Sequence, residues 1–158
     1  MKARRAVQVA VAGGGRCSRK TAALAHALGR EVGRAGAILV CGGLGGVMAA
    51  AARGAREAGG LVVGILPGYA HDSGNRDLSV RIPTGLGHGR NILVAAAGDV
   101  VIAVAGSHGT LAEIAFARVL GRPVVALGAW AEVPGVVLAH TPGEAVRLAL
   151  DLARRRRR

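Results

Sequence analysis

Residues 98–120 read Gly-Asp-Val-Val-Ile-Ala-Val-Ala-Gly-Ser-His-Gly-Thr-Leu-Ala-Glu-Ile-Ala-Phe-Ala-Arg-Val-Leu, and the other segments of the chain are arranged around them. The unbroken apolar run 100–105 is rich in β-branched residues, which predicts a strand buried on both faces. The small residues 106–109 then make a tight loop, and a helix follows at once. A buried parallel strand that turns through glycine into a helix gathers free N–H groups and the positive end of the helix dipole, so this pattern predicts an anion site.

The predicted helix has an apolar side formed by Leu111, Ile114, Ala115 and Val119. This spacing is typical of a helix that packs on a sheet, and we expect this side to face the core.

Thr110 and Glu113, at the start of this helix, allow two interpretations. In a capping box, Thr110 is the N-cap and each side chain bonds the other residue's backbone N–H. Thr141 and Glu144 repeat the spacing, with proline at the first helical position and no glycine loop in front, and should form only a cap. The glycine loop before Glu113 favours a role in a binding site, and the two roles can coexist.

The whole chain alternates between predicted strands and helices. Strands are predicted at 7–12, 38–41, 61–66, 80–82, 100–105, 124–127 and 136–138, and helices at 20–35, 47–58, 88–97, after 109, and from 142 to about 153. The alternation predicts the α/β class, with a single doubly wound parallel sheet sandwiched by helices in a Rossmann-like arrangement. We take 1–153 as one nucleotide- or phosphate-binding domain and 154–158 as a basic tail. Ligands of such sheets bind at the carboxyl ends of the strands, so the three glycine-rich loops should converge on one crevice.

Composition limits the partners that the chain could have. Its 158 residues carry a formal net charge of +12, and five of the positive charges lie in the arginine run 154–158. This run is either a contact for nucleic acid or the solvated end of a helix, where cations suit the dipole. Only 2% of the residues are aromatic, which leaves no stacking platform for single strands. We therefore do not expect nucleic acid as a partner.

Hydropathy and cysteine content predict a cytoplasmic protein. No apolar run is long enough to span a membrane, so no membrane partner is expected. The apolar run 7–12 is too short and too β-branched for the core of a signal peptide. Cys17 and Cys41 are expected to be reduced thiols, and no Cys/His spacing indicates a metal site.

The glycine loops suggest a small ligand. The first loop, 13–18, is a degraded dinucleotide motif, but Cys41 stands where such a fold places an acid for the ribose, which argues against NAD and FAD. No Walker motif occurs, so one phosphate or a mononucleotide is the more natural ligand. Arg90 supports this, because in the first turn of its predicted helix a cation opposes the dipole. A residue in a locally unfavourable place is a functional candidate; the alternative is a surface arginine.

Four motifs stand out along the chain: Cys-Gly-Gly-Leu-Gly-Gly-Val-Met at 41–48, Gly-Ile-Leu-Pro-Gly at 64–68, Gly-Arg-Asn at 89–91 and Gly-Ser-His-Gly-Thr-Leu-Ala-Glu at 106–113. Together they resemble the LOG-like Rossmann superfamily over about residues 7–150. This superfamily includes the Lonely Guy cytokinin-activating phosphoribohydrolases, often misannotated as lysine decarboxylases. The most similar branch holds the molybdenum-cofactor carrier proteins and many uncharacterised bacterial members.

The chain departs from the superfamily pattern at three positions. In the motif P-G-G-x-G-T-x-x-E, Ala105 replaces the proline and Ser107 replaces the second glycine. The hydrolases carry Arg-Lys where this chain has Arg90 and Asn91, which weakens the case for cytokinin-type hydrolysis and favours simple binding. No lysine lies in the crevice motifs to hold pyridoxal phosphate, so a decarboxylase is not supported and no cofactor is expected.

The resemblance implies a site with two catalytic residues, Arg90 to orient the sugar phosphate or base, and Glu113 to hold the ribose hydroxyls and stabilise oxocarbenium charge. The remaining ligand contacts are predicted at Gly14, Ser18, Gly43, Gly45, Gly46, Met48, Gly106, Ser107, His108, Gly109 and Thr110. Two functions follow: hydrolysis of the N-glycosidic bond of a nucleoside 5′-monophosphate, or carriage of a nucleotide or a phosphorylated pterin such as the molybdenum cofactor without chemistry. A third, DNA binding, has only the basic charge behind it.

The alanine-rich helix predicted at 47–58 offers a flat face of small residues. Small residues permit close approach, and a self-complementary patch favours two-fold symmetry, so we predict a homodimer or homotetramer. In the alternative interpretation this face packs on the sheet of its own chain; because a helix has two sides, both can hold.

Overall fold

The computed structural model describes residues 5–157, which form a parallel sheet with helices on both faces. The strands are β1 (Gln8–Ala12), β2 (Ile38–Cys41), β3 (Val62–Leu66), β4 (Val80–Pro83), β5 (Val100–Ala103), β6 (Val124–Leu127) and β7 (Val137–Ala139). The helices are α1 (Arg19–Arg34), α2 (Val47–Glu57), α3 (Asn91–Ala97), α4 (His108–Val119) and α5 (Pro142–Arg156). Short 3₁₀ turns cover His71–Ser73 and Gly87–Arg90.

The sheet has seven strands in the order β4-β3-β2-β1-β5-β6-β7, and all neighbouring strands are parallel. The chain builds outward from β1 to β4, then crosses back and places β5 on the other side of β1. In register, Val9 lies opposite Val100 and Ala12 lies opposite Ala103. The α/β, doubly wound prediction is confirmed, and the switch point of the topology lies between β1 and β5.

Alternate side chains of the central strands feed two apolar cores. Val9 and Ile102 point towards the layer of α1, α2 and α5, whereas Ala10 and Val101 point towards the layer of α3 and α4. All four residues of β5 are buried, as the apolar run in the sequence predicts for a strand covered on both faces.

Glycines bring α1 and α2 into close contact. A Cβ built on Gly29 would lie 1.9 Å from the carbonyl oxygen of Ala51, and one on Gly54 would lie 2.0 Å from that of His26. The helix backbones therefore touch where these glycines lie, and α1 covers the small-residue face of α2. Within residues 5–157, the face that the sequence offered for self-association is thus used inside the chain.

Helix α4 lies in a different orientation from the one that the sequence predicts. Ile114 and Ala117 are fully buried, but Leu111 is 39% exposed and Val119 is 83% exposed. Ala115, between them, is exposed as well. The expected core side of Leu111, Ala115 and Val119 is therefore wrong, because apolar side chains are distributed around α4 and the sheet contacts only some of them.

The end of the chain is also more ordered than the interpretation as a solvated helix end implies. Helix α5 continues through Arg156, and Arg157 donates hydrogen bonds to the carbonyl oxygens of Arg5 and Ala6, each at 3.0 Å. Arg157 also forms an ion pair with Asp99, an almost fully buried residue that directly precedes β5. Helical structure thus crosses the predicted boundary between residues 153 and 154; Arg158 lies outside the described residues.

Candidate functional site

The crevice lies at the switch point, beyond the carboxyl ends of β1 and β5. Its volume is about 400 Å³, within the range of small-molecule sites. Its lining comprises Gly13, Gly14, Gly15, Leu44, Met48, Pro67, Gly87, His88, Arg90, Asn91, Ser107, Gly109, Thr110 and Glu113. The loops after β1, β2 and β5 all contribute, so their predicted convergence is observed.

The start of α4 forms one wall of the crevice. The helix begins at His108, and Ser107 is its N-cap residue, although the Ser107 side chain makes no cap hydrogen bond. Thr110 is therefore the third helical residue, and its predicted role as the N-cap of a capping box with Glu113 is wrong. The N–H groups of the first turn, including those of Gly109 and Thr110, have no intrahelical partner and lie at the positive end of the dipole.

Thr141 and Glu144 behave as the sequence predicts for a simple cap. The Thr141 hydroxyl accepts the N–H of Glu144 at 3.2 Å, and the Glu144 carboxylate accepts the N–H of His140 at 2.7 Å. The same Thr-x-x-Glu spacing thus caps α5 but carries both polar side chains of α4 into the interior. The preceding loop, rather than the spacing, makes the difference.

Arg90 is a buried cation at the start of α3. It is only 6% exposed, and its guanidinium donates to the carbonyl oxygens of Ile65, at 2.9 Å, and Gly42, at 3.2 Å. A third hydrogen bond goes to the side chain of Asn91, whose amide donates to the carbonyl oxygen of Gly109 at 3.5 Å. These bonds fix the guanidinium between the ends of β2 and β3, and the alternative of a surface arginine is wrong.

The charge of Arg90 is not neutralised within the described residues. Arg90 forms no salt bridge with any carboxylate in the range 5–157. Burial lowers the pKa of its guanidinium, while the charges of Glu113 and Cys41 raise it. Because guanidinium stays protonated in proteins, the floor of the crevice carries a positive charge.

Glu113 faces the same space from α4 and is 6% exposed. Burial raises its pKa to about 8, although the charge of Arg90 lowers it. The carboxyl group is therefore largely protonated at neutral pH and does not cancel the charge of Arg90. The Cys41 thiol lies close by, and burial raises its pKa to about 12, so it stays protonated and is no nucleophile at neutral pH.

The structure brings most, but not all, of the predicted contacts together. The predicted residues that line the crevice are Gly14, Met48, Arg90, Ser107, Gly109, Thr110 and Glu113. Ser18 and Gly106 line a neighbouring hollow of about 500 Å³, which shares Gly14, Gly15 and Ser107 with the crevice. Gly43, Gly45, Gly46 and His108 are absent from both linings.

Backbone geometry explains the glycines that do not line the crevice. Gly46 precedes α2 with φ of 59°, and a Cβ there would lie 2.3 Å from the carbonyl oxygen of Gly14. A Cβ on Gly43 would lie 2.4 Å from the side chain of Leu66. Gly46 is therefore required where the first two loops pack on each other, and Gly43 where the second loop packs on the end of β3. Both are structural reasons that are independent of a ligand.

Sequence reasoning did not assign several residues of the lining as contacts. Gly13 and Gly15 lie within the first glycine loop, and Asn91 adjoins Arg90 in its motif, so their neighbours were the available signal. Leu44 lies within the stretch 43–46, which was expected to line the crevice. Pro67 directly follows β3 at the same edge of the sheet, and Gly87 and His88 lie in the 3₁₀ turn that leads into Arg90, so position in the chain was the signal for these three. No cluster of three or more potential metal ligands occurs within residues 5–157.

Across the described residues, none of the helices has the length and apolar character that crossing a membrane requires.

Comparisons with known proteins bear on this crevice. A sequence model of the SLOG cluster4 family, within the LOG-like superfamily, matches residues 6–150. An uncharacterised protein of Archaeoglobus fulgidus is 39% identical over 145 residues, which cover 92% of this chain and 95% of that protein.

Two solved structures are also similar. The molybdenum cofactor binding protein of Rippkaea orientalis has a TM-score of 0.90 and 31% identity over 95% of this chain and 99% of its own. The molybdenum cofactor carrier protein of Chlamydomonas reinhardtii has a TM-score of 0.85 and 32% identity over 94% and 98%.

Proposed function

The chain belongs to the SLOG cluster4 family, and from that premise we propose that its crevice binds the molybdenum cofactor, a phosphorylated pterin, and carries it without breaking a bond in it. The single observation that carries this proposal is the buried, unneutralised Arg90 in the same crevice as the free N–H groups of α4. A buried cation beside a helix N-terminus favours an anionic group between them.

The phosphate has a natural place in this arrangement. The N–H groups of Gly109 and Thr110 would donate to its oxygens, and Arg90 would supply the compensating charge. The protonated Glu113 could donate a further hydrogen bond, whereas an ionised carboxylate would repel the anion. All four groups lie in the crevice lining.

The ring system would lie against the apolar side of the crevice. Leu44, Met48 and Pro67 contribute there, and Met is a side chain that adapts to flat ligands. Glycines at 13–15 leave the opposite side open, so that a planar group could approach the backbone closely. The two similar proteins of known structure are described as molybdenum cofactor binding and carrier proteins, which supports a pterin as the ligand class.

Two observations favour carriage over hydrolysis. Stabilising an oxocarbenium-like transition state needs an ionised carboxylate, and the raised pKa leaves Glu113 largely neutral at pH 7. Asn91, which stands where the hydrolases have lysine, is tied to Arg90 and Gly109 rather than free to contact a substrate. Hydrolysis of a nucleoside 5′-monophosphate remains the second candidate, because a neutral Glu113 could serve as a proton donor to the leaving base.

The test is a binding titration of the purified protein with molybdenum cofactor released from a molybdoenzyme, with AMP and with inorganic phosphate. We expect the pterin to bind more tightly than AMP, with no free base released from AMP. In Arg90→Gln, which removes the charge but keeps an amide donor, affinity should fall about 10- to 100-fold, the effect of one charged hydrogen bond.

Arg122→Gln is the matched control. Like Arg90, Arg122 donates to a backbone carbonyl oxygen, in this case that of Ala96 in α3 at 2.9 Å. Unlike Arg90, Arg122 is not part of the crevice lining. The variant should bind like wild type. Release of free base would favour the hydrolase, and equal affinities for the pterin and phosphate would rule out a pterin carrier.

A further inference from the structure

The segment between β6 and β7, residues 128–136, packs beside α4, and we call it the strap. Its large apolar side chains pack against the core on the α3 and α4 side of the sheet: Trp130, Val133 and Val136. Near the end of the strap an added Cβ on Gly135 would lie 2.7 Å from the guanidinium of Arg118 in α4. None of the described residues of the strap is part of the crevice lining, so any influence on a ligand is indirect.

Trp130 is held in an unusual backbone conformation. Its φ is 69°, and within residues 5–157 it is the sole residue other than glycine with a positive φ. Bulky side chains rarely adopt this left-handed region, so the surrounding contacts must hold it there. One of these contacts is specific: the indole N–H donates a hydrogen bond to the carbonyl oxygen of Val104 at 2.9 Å.

Val104 is the residue through which β5 passes into the loop before α4. It is fully buried, and its N–H donates to the carbonyl oxygen of Ala12 at 2.8 Å. The carbonyl oxygen of the next residue, Ala105, accepts the N–H of Gly14 at 3.0 Å. Trp130 gives the buried carbonyl of Val104 the partner that it needs. The chain is therefore tied to β1, to the first glycine loop and to the strap just before the start of α4.

We propose that Trp130 is a positioning residue for the anion site, and that it acts through Val104 to fix the start of α4 against the first glycine loop. The inference rests on the proposed function, because the groups that it positions are the N–H donors of Gly109 and Thr110. Within residues 5–157, the Ser107 side chain makes no cap hydrogen bond that would hold this turn from inside. Donors contribute fully to binding only when they are in place before the ligand arrives.

Two variants separate positioning from general packing. Trp130→Phe keeps an aromatic ring for the core and removes the indole N–H. Val133→Ala, the matched control, removes apolar contact from the same strap, and the Val133 side chain has no polar atom that could bond to Val104. Both variants should lower the free energy of unfolding, but only Trp130→Phe should loosen the loop before α4.

The first measurement needs no ligand and follows amide hydrogen exchange by NMR. The N–H of Gly14 reports on the loop, because it bonds to the carbonyl oxygen of Ala105. It should exchange about 10-fold faster in Trp130→Phe, the effect of one neutral hydrogen bond, and at the wild-type rate in Val133→Ala. The N–H of Leu39 in β2 shows how much of any change comes from opening of the whole fold.

The second measurement titrates the protein with the oxidised, phosphorylated pterin released from molybdenum cofactor, before and after treatment with phosphatase. Trp130→Phe should lose about 10-fold in affinity for the phosphorylated form and nothing for the dephosphorylated form. Val133→Ala should bind both forms like wild type. The preference for the phosphorylated form is a readout that loss of packing alone would not move.

The outcomes keep the two proposals apart. Unchanged exchange at Gly14 in Trp130→Phe, or an equal loss of affinity for both forms of the pterin, would overturn the positioning role. A wild type that binds neither form would contradict the proposed function instead, and exchange at Gly14 would still decide the role of Trp130. If Trp130→Phe does not fold by circular dichroism, benzothienylalanine, which has the shape of tryptophan but no N–H, takes the place of the single tryptophan in the same measurements.

Discussion

The two helical layers distribute their polar groups in opposite ways. In the layer of α1, α2 and α5, charged side chains face solvent and the inner sides are Ala, Gly, Leu and Val. In the layer of α3 and α4, the outer side is apolar and the inner side carries Arg90, Asn91, Thr110 and Glu113. The first layer is therefore a stabilising cover of the sheet, whereas the second gives up burial of apolar side chains to hold a polar site.

This difference explains why one sheet supports two kinds of packing. Where α1 crosses α2, glycines let the backbones touch, and the polar pair between the two helices, His26 and Glu57 at 2.7 Å, lies at the exposed margin of the contact. Where α3 and α4 meet the sheet, buried polar groups are satisfied by the backbone or are directed into the crevice. Functional sites commonly reduce stability in this way, so mutations in the two layers should differ in sign.

The largest expected effect is in the cover layer. Gly29→Ala would place a methyl group 1.9 Å from the carbonyl oxygen of Ala51, so α1 and α2 must separate. We expect the free energy of unfolding to fall by more than about 3 kcal/mol, the upper range for overpacking. Gly143→Ala in α5, where an added Cβ meets nothing within 4 Å, is the control and should stabilise by about 0.5 kcal/mol. Urea denaturation measures both, and equal effects would contradict the close-contact account.

The site layer should respond in the opposite direction. The folded pKa of Glu113 is about 8, against an ordinary value of 4.5, so the unfolded chain releases this proton first and stability falls as pH rises from about 4.5 to 8. Glu113→Gln removes this effect and should stabilise the protein by about 3 kcal/mol at pH 7, with little change near pH 4.

Denaturation at several pH values measures this prediction, with Glu144→Gln as the control. Glu144 caps α5 in the cover layer, and its variant should keep the pH dependence of wild type. Anion binding by wild type should also weaken above pH 8, where Glu113 ionises, but not in Glu113→Gln. A Glu113→Gln variant that is less stable than wild type at pH 7 would show that the carboxyl group has a structural partner.

The smallest effect concerns the end of the cover layer. Arg157 and Arg5 both pair with Asp99, and their hydrogen bonds, with that of the Gln8 N–H, outweigh burial and lower the pKa of Asp99 to about 2. Arg157→Gln should cost about 1 to 2 kcal/mol at pH 7, since it leaves Asp99 only partly paired. The stability that the ionised Asp99 contributes is present above about pH 4 and is lost as pH falls towards 2, where Asp99 becomes protonated in the folded state as well.

Arg155→Gln, on the exposed side of the same helix, is the control and should change stability by less than about 0.5 kcal/mol. Thermal unfolding at pH 7 and pH 3 distinguishes the two variants. Equal, small effects would mean that the ion pair contributes nothing and that the arginine run behaves as one solvated segment.

Much of the site could be predicted because parallel strands end at one edge. Glycine loops after β1, β2 and β5 must converge there. Arg90 could be identified as a site residue because it is a cation at a helix start, and Glu113 because it is an acid that follows a glycine loop. Gly43, Gly45 and Gly46 could not be separated from true contacts, because a glycine needed for packing has the same one-letter pattern as one that admits a ligand. Asn91 could not be assigned, since its contact with Gly109 depends on how α3 lies beside α4.

The sequence by itself determined the class of fold, the edge of the sheet that holds the crevice and the charge of its floor. Apolar periodicity and glycine placement are local properties, and the handedness and direction of parallel connections turn them into one topology. Only the tertiary structure decided which side of α4 is buried and which helix covers the alanine face of α2. A helix such as α4, whose apolar side chains are distributed around its axis, has no clearly preferred face in its sequence. Its orientation is set by contact with the sheet and neighbouring helices, and here that contact turned Thr110 and Glu113 inwards and left Leu111, Ala115 and Val119 outside.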